Sequence, residues 1–150
     1  MKYFILIVLI LAADRGTKLL ITQNMSPGDS IAVIDGVFHI SYIRNHGAAF
    51  SILQGQTLLL GIFTALLIIA GIVFIFLNRK SEDRMMMCSV CMIIGGGLGN
   101  LIDRISVGYV VDFLDFRVFP VFNFADICVT LGCVLMCLCV IRKDSKAKNE

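Results

Sequence analysis

Charge is what this sequence is short of. Asp, Glu, Lys and Arg make up 16% of its 150 residues while 58% are hydrophobic, against roughly 25% charged in soluble chains. A globule this small leaves a large part of its chain at the surface, so so much apolar side chain cannot be hidden from water. Lipid must be the solvent. The net charge of +2 is too small to suggest a nucleic-acid partner, and its placement along the chain says more than its total.

Other chemistry is also scarce. His39 and His46 lack the spacing and acidic companions of a zinc site. No other metal-ligand cluster is visible, so neither metal nor cofactor is expected. Ser106 has no nearby histidine and no serine elbow accompanies the two histidines, which argues against a nucleophilic serine. Gly95, Gly96, Gly97 and Gly99 are not followed by Lys-Ser/Thr, so they form no phosphate loop. The six cysteines (Cys88, Cys91, Cys128, Cys133, Cys137 and Cys139) all fall in apolar runs. Cys88-x-x-Cys91 has no matching second pair, and these residues read as small hydrophobes of membrane helices. No internal repeat or second domain is seen, and residues 1–150 form a single domain.

What is present is four apolar segments, at 3–21, 58–77, 85–101 and 124–141. They approach the length of a spanning helix, about 20 residues. The first, with Lys2 before it and Ala12-Ala13 within it, resembles a signal peptide. However, Leu19, Leu20 and Ile21 resume the apolar run beyond Asp14-Arg15-Gly16-Thr17-Lys18, as a retained span would. Asp14 and Lys18 lie one helical turn apart and can pair. That pair either eases insertion or serves a site. Gly95 and Gly99 offer a small face for close helix packing.

Between the first two spans, Met25-Ser26-Pro27-Gly28-Asp29 is turn chemistry. Asp35-Gly36 is a hairpin signal, and Phe38, Ile40 and Tyr42 alternate with His39 and Ser41 as in a half-buried strand. A β-hairpin over 30–44 at the membrane surface is expected. Asn45-His46-Gly47-Ala48-Ala49-Phe50-Ser51 follows, with small residues where a backbone can approach a partner. The fold class is therefore all-α integral membrane, four transmembrane helices with a small outward-facing β-sheet.

Basic residues give the orientation. Lys2, Arg79, Lys80, Arg84, Arg142, Lys143, Lys146 and Lys148 share one side of a four-span chain, opposite Arg44, Arg104 and Arg117. By the positive-inside rule both termini and the 78–84 loop are cytoplasmic. The hairpin and the 102–123 loop then face outward. Asp14 sits about 16 Å along the first helix, in the outer half of the bilayer. Asn100 closes the third span and Asp126 opens the fourth, both at the outer boundary. Asp112, on the loop between them, reaches the same depth.

Ionisable groups beside hydrocarbon are costly and mark functional sites. Two neighbouring carboxylates cannot both ionise, so they share one proton. One can then take a proton from water while the other polarises a carbonyl, the logic of aspartic proteases. Alternatively, Asp112 and Asp126 merely solvate or cap helix ends, for which the first turn of the fourth span suits Asp126. A small proton- or ion-coupled transporter is a rival reading, although its site belongs near the midplane between repeats. A non-catalytic membrane subunit, with polar groups as packing glue, is another.

At these residues the chain resembles the lipoprotein signal peptidase family (signal peptidase II). The motifs are Asp14-x-x-Thr17-Lys18, Asn45-x-Gly47-Ala48-Ala49-Phe50, Gly99-Asn100-Leu101-Ile102-Asp103-Arg104, Val111-Asp112-Phe113 and Phe122-Asn123-x-Ala125-Asp126, in order along the whole chain. Arg15 stands where glutamine is more usual, and the cysteine-rich fourth span is unusual. The resemblance implies an aspartyl endopeptidase of the bacterial inner membrane, multi-pass, with its active site near the outer face. It implies diacylglyceryl-modified prolipoprotein substrates cut just before the lipidated cysteine, within membrane lipid. Asp112 and Asp126 would be catalytic. Asn100 and Asn123 would orient the pair or bind substrate backbone, with Ala125 beside them. Asp14 with Lys18 and Asp103 with Arg104 would shape the site, and Asn45 and Gly47 would line the entrance. Asp115 is a decoy that only the Val-Val-Asp-Phe match sets aside.

Overall fold

A computed structural model describes residues 2–47, 55–79 and 83–147. The elements are α1 (Lys2–Asn24), β1 (Ser30–Ile34), β2 (Phe38–Asn45), α2 (Thr57–Leu77), α3 (Arg84–Ser106), β3 (Val110–Asp115) and α4 (Phe124–Ala147). The expected small residues Ala48 to Ser51 and part of the 78–84 loop lie outside the described residues.

By length and composition α2, α3 and α4 are apolar enough to cross a membrane. The first expected span, α1, has 23 residues, and it differs from those three in holding Asp14, Arg15 and Lys18 within its apolar run. The helices also outrun their expected bounds: α3 continues five residues past Leu101, and α4 passes 141 to Ala147. Intrahelical bonds satisfy the backbone through this polar stretch, so Asp103 and Arg104 extend the helix instead of ending it.

α3 is the central helix, packed against α1, α2 and α4. Its glycines make this possible: Gly95 and Gly99 face α1, Gly96 faces α4 and Gly97 faces α2. A Cβ on Gly95 would lie 2.9 Å from Ile10 of α1, one on Gly97 3.3 Å from Ile68 of α2, and one on Gly132 of α4 2.8 Å from Ser89 O. Gly99 faces Asp14 and Gly96 faces the backbone at Ala125. Without a water-driven apolar attraction, such close backbone contact is what holds membrane helices together. The outer faces stay apolar and exposed, as at Leu58, Ile62, Phe63 and Leu66 of α2.

The expected hairpin forms. Val37 N–H donates to Ile34 O across the Asp35-Gly36 turn (3.0 Å), and Gly36 takes φ +68°, a backbone state that costs glycine little. A third strand was not expected: β3 lies in the 102–123 stretch read as a loop. It pairs antiparallel with β2, giving a sheet of order β1-β2-β3. β1 is exposed throughout, whereas β3 is almost wholly buried. The chain then doubles back. Phe122 exchanges backbone hydrogen bonds with Leu114 (2.8 and 3.1 Å), which sets the start of α4 beside β3.

Candidate active site

Asp112 faces Ile43 across the β2–β3 ladder, two residue pairs from Asn45 and Val110. Because side chains alternate along strands, Ile43, Asn45 and Asp112 share the sheet face turned to a cavity. This cavity, of about 940 Å³, is walled by those residues, by Asn100 and Arg104 of α3, by 119–122, and by α4 from Asp126 to Leu131. Both carboxylates of the expected pair line it.

Asn123 and Asp126 open α4 as a reciprocal cap. Asp126 N–H donates to Asn123 Oδ1 (3.0 Å), and Asn123 N–H donates to Asp126 Oδ2 (3.2 Å), the geometry of a capping box. The capping role weighed for Asp126 is thus real, yet it occupies one oxygen only. Oδ1 accepts from Asn100 Nδ2 at 2.7 Å. Asp112 is held likewise: Oδ1 accepts from Asn123 Nδ2 (2.6 Å) and Oδ2 from Asn45 Nδ2 (2.8 Å). Every carboxylate oxygen of the pair therefore meets an N–H.

Each asparagine is turned by its own carbonyl. Asn45 Oδ1 accepts Gly47 N–H (2.9 Å), and Asn123 Oδ1 is taken by Asp126 N–H. Asn100 Oδ1 accepts Lys18 Nζ (2.9 Å) and Asn123 Nδ2 (3.1 Å). With the oxygen ends committed, the NH₂ ends can only face the carboxylates.

Asp112, outside the helices, has its carboxyl pushed up from the usual 3.8 to about 7. Burial is the main cause and the charge of Asp126 the next, and together they outweigh the Asn45 and Asn123 donors. Asp115 behaves oppositely. Burial raises it, but the N–H and guanidinium of Arg117 and the Ser41 hydroxyl more than offset that and hold it below the carboxylate range. Asp115 does not line the cavity. The structure separates the two aspartates that sequence pattern alone could not.

Asp14 and Lys18 do more than pair with each other. Lys18 Nζ lies 2.9 Å from Asp14 Oδ2 and 2.8 Å from Asp103 Oδ2, and its side chain is 1% exposed. Asp14 Oδ1 accepts the N–H of Ala125 (3.1 Å), which places Ala125 backbone against α1. Arg15, standing where glutamine is more usual, ion-pairs with Asp103. Asp103 also receives Val111 N–H (3.3 Å), which ties β3 to α3. Asp103 and Arg104 diverge: Arg104 turns to the cavity and donates to Gly47 O (3.3 Å).

Sequence reasoning missed the cavity wall at Phe119 to Phe122 and the place of His46 on its rim, where the exposed ring packs edge-on to Tyr109. The β-branched Val110-Val111 pair was the available signal for β3. Among the described residues no group of three or more His, Cys, Asp or Glu is arranged to hold a metal ion.

A helical membrane protein whose buried Asp112 and half-buried Asp126 line one cavity at the end of its bundle has the form of a membrane enzyme. Known proteins agree. A family model for signal peptidase II matches residues 6–142. A lipoprotein signal peptidase of Halothermothrix orenii is 44% identical over 90% of this chain and 92% of its own. That of Halalkalibacterium halodurans is 40% identical over 100% and 98%. Two solved structures of bacterial membrane enzymes superpose with TM-scores of 0.90 and 0.82, at 33% and 34% identity, covering 99% and 93% of this chain and 93% and 92% of theirs. The chain belongs to the signal peptidase II family, and is a peptidase of a bacterial membrane.

Proposed function

We propose that the chain, by family a peptidase removing signal peptides from lipoproteins, is an aspartyl endopeptidase whose pair is Asp112 and Asp126. Its substrates are diacylglyceryl-modified prolipoproteins, cut on the N-terminal side of the lipidated cysteine. The observation that carries this reading is the shared cavity: two carboxylates, one from a strand and one from a helix, line it, bridged by Asn100 and Asn123. The pair holds one proton, which titrates as a property of both groups.

The ionised carboxylate takes a proton from a water molecule as its oxygen bonds to the scissile carbonyl carbon. The other carboxyl gives its proton to the carbonyl oxygen. The resulting gem-diol collapses as one hydroxyl returns its proton to the carboxylate that had released one. The C–N bond breaks, and the cysteine nitrogen leaves with the proton taken from water, so the pair again holds one proton. The amide donors hold the carboxylates without taking their proton, because an N–H offers no lone pair to it.

The cavity combines polar groups at the sheet with Ile127, Val129 and Leu131 of α4, a setting that suits acyl chains in lipid beside a polar peptide. In this reading α1 also crosses the membrane and brings the spans to four, its charges drawn inward onto α3 and α4. The basic residues then leave both termini cytoplasmic and the site at the outer face of the inner membrane. Residues 1–150 act as one domain and no nucleic acid is involved. Purified protein should cleave a diacylglyceryl precursor and leave the unlipidated one intact. Equal cleavage of both would contradict the assigned substrate.

A further inference from the structure

The three amides around the acidic pair are not pinned alike. Asn45 and Asn123 are turned by backbone N–H groups of their own segments, Gly47 and Asp126. The oxygen of Asn100 is instead held from other elements, by Lys18 Nζ at 2.9 Å and by a longer bond of 3.1 Å from Asn123 Nδ2. That second donor is shared with Asp112 Oδ1 at 2.6 Å. Lys18 comes from a different helix and is buried with Asp14 and Asp103, whose carboxylates fix its ammonium.

We infer that Lys18 is a positioning residue for the reaction: by holding the Asn100 carbonyl, it forces the Asn100 NH₂ toward Asp126. An Asn100 amide turned over would set its oxygen against the Asp126 carboxylate and its NH₂ against an ammonium. Lys18 makes that state untenable. The consequence reaches the shared proton. All four carboxylate oxygens face N–H donors, so none of these partners can accept the proton. It is left between the two carboxyl groups or directed to substrate in the cavity, which is where hydrolysis needs it. The motif Asp14-x-x-Thr17-Lys18 thereby acquires a role beyond packing α1 to α3. The charged groups facing this unit are Asp14 and Lys18 of α1, Asp103 and Arg104 of α3, Asp112 of β3 and Asp126 of α4, with Arg15 on the far side of Asp103.

This inference rests on the acidic pair proposed above, and a double-mutant cycle separates the two. The full chain is purified, its folded fraction is measured by thermal unfolding, and kcat is taken on a diacylglyceryl precursor across pH. Lys18→Met should lower kcat by about 30-fold or more, in the range of a lost preorganised donor. In an Asn100→Ala background the same exchange should cost less than about threefold, because Lys18 acts through Asn100. It should also move the alkaline limb of the profile to higher pH, since a positive charge near Asp112 is lost. Equal losses in both backgrounds, or an unchanged kcat per folded molecule, would overturn the inference. Lys18→Met/Asp103→Asn removes one charge of each sign and serves if the single variant does not fold. Asn100→Asp keeps the Lys18 contact but turns an oxygen to Asp126; wild-type kcat there would also overturn it. Should Asp112→Asn and Asp126→Asn both retain cleavage, the acidic pair itself fails, a different result from any of these.

Discussion

Asn123 donates its side-chain amide to Asp112 Oδ1 across 2.6 Å while its own backbone N–H reaches Asp126. One residue, eleven positions after Asp112 and three before Asp126, thus joins a strand carboxylate to a helix carboxylate, and it does so as the N-cap of α4. Fold and chemistry meet in that side chain.

Separating the two roles is feasible. Asn123→Ser keeps a capping oxygen but cannot reach Asp112, so stability should fall by well under the ~1 kcal/mol of a lost cap. Its kcat should drop about 100-fold, as for other lost preorganised donors. Asn123→Ala should lose both. Thermal unfolding and single-turnover cleavage on the same preparations check this, and a parallel loss in Asn123→Ser would tie its role to stability alone.

With the Asp112 carboxyl at about 7, cleavage should decline above pH 7 as the shared proton departs, and recover when the pH is lowered again. Asn45→Ala removes a donor that favours the charged form, so the alkaline limb should move to higher pH. The stability effect has the opposite benefit. The folded state keeps a proton that the unfolded chain, with its carboxyl near 3.8, releases. This site's contribution therefore falls as pH rises between those values. A kcat/KM profile from pH 5 to 9 and unfolding at several pH values test both.

Two glycines predict contrasting outcomes. A Cβ on Gly99 meets the Asp14 carboxylate, so Gly99→Ala should drive Asp14 from Lys18 and Ala125 and lower both stability and activity. Gly16, exposed on α1, has open space around its Cβ. Gly16→Ala should be neutral or stabilising by up to about 1 kcal/mol through helix propensity. Expression-normalised unfolding of the two variants distinguishes them.

Much of this architecture was legible because each signal is local. Apolar runs marked α2, α3 and α4 as membrane-capable helices, Asp35-Gly36 marked the hairpin, and Gly95 with Gly99 marked the face that α1 packs on. β3 was not legible, since Val110–Asp115 becomes a strand only when β2 lies beside it. For the same reason Asp112 was read on a loop at the interface, whereas the strand buries it. Lys18 was legible as the partner of Asp14 because the spacing is four. Its contacts with Asp103 and Asn100 span 82 residues or more, and no periodicity encodes them. Arg15 is similar: its partner is set by how α1 packs on α3.

The most direct measurement is single-turnover cleavage of a diacylglyceryl precursor by Asp112→Asn, Asp126→Asn and Asp115→Asn, each verified as folded. Asp115 holds Ser41 and Arg117 away from the cavity, so its variant should retain activity. The account predicts that the first two lose cleavage by four orders of magnitude or so, as when an essential acid–base group is removed. Cleavage surviving in either of them, or lost in Asp115→Asn alone, would contradict the assignment of the pair.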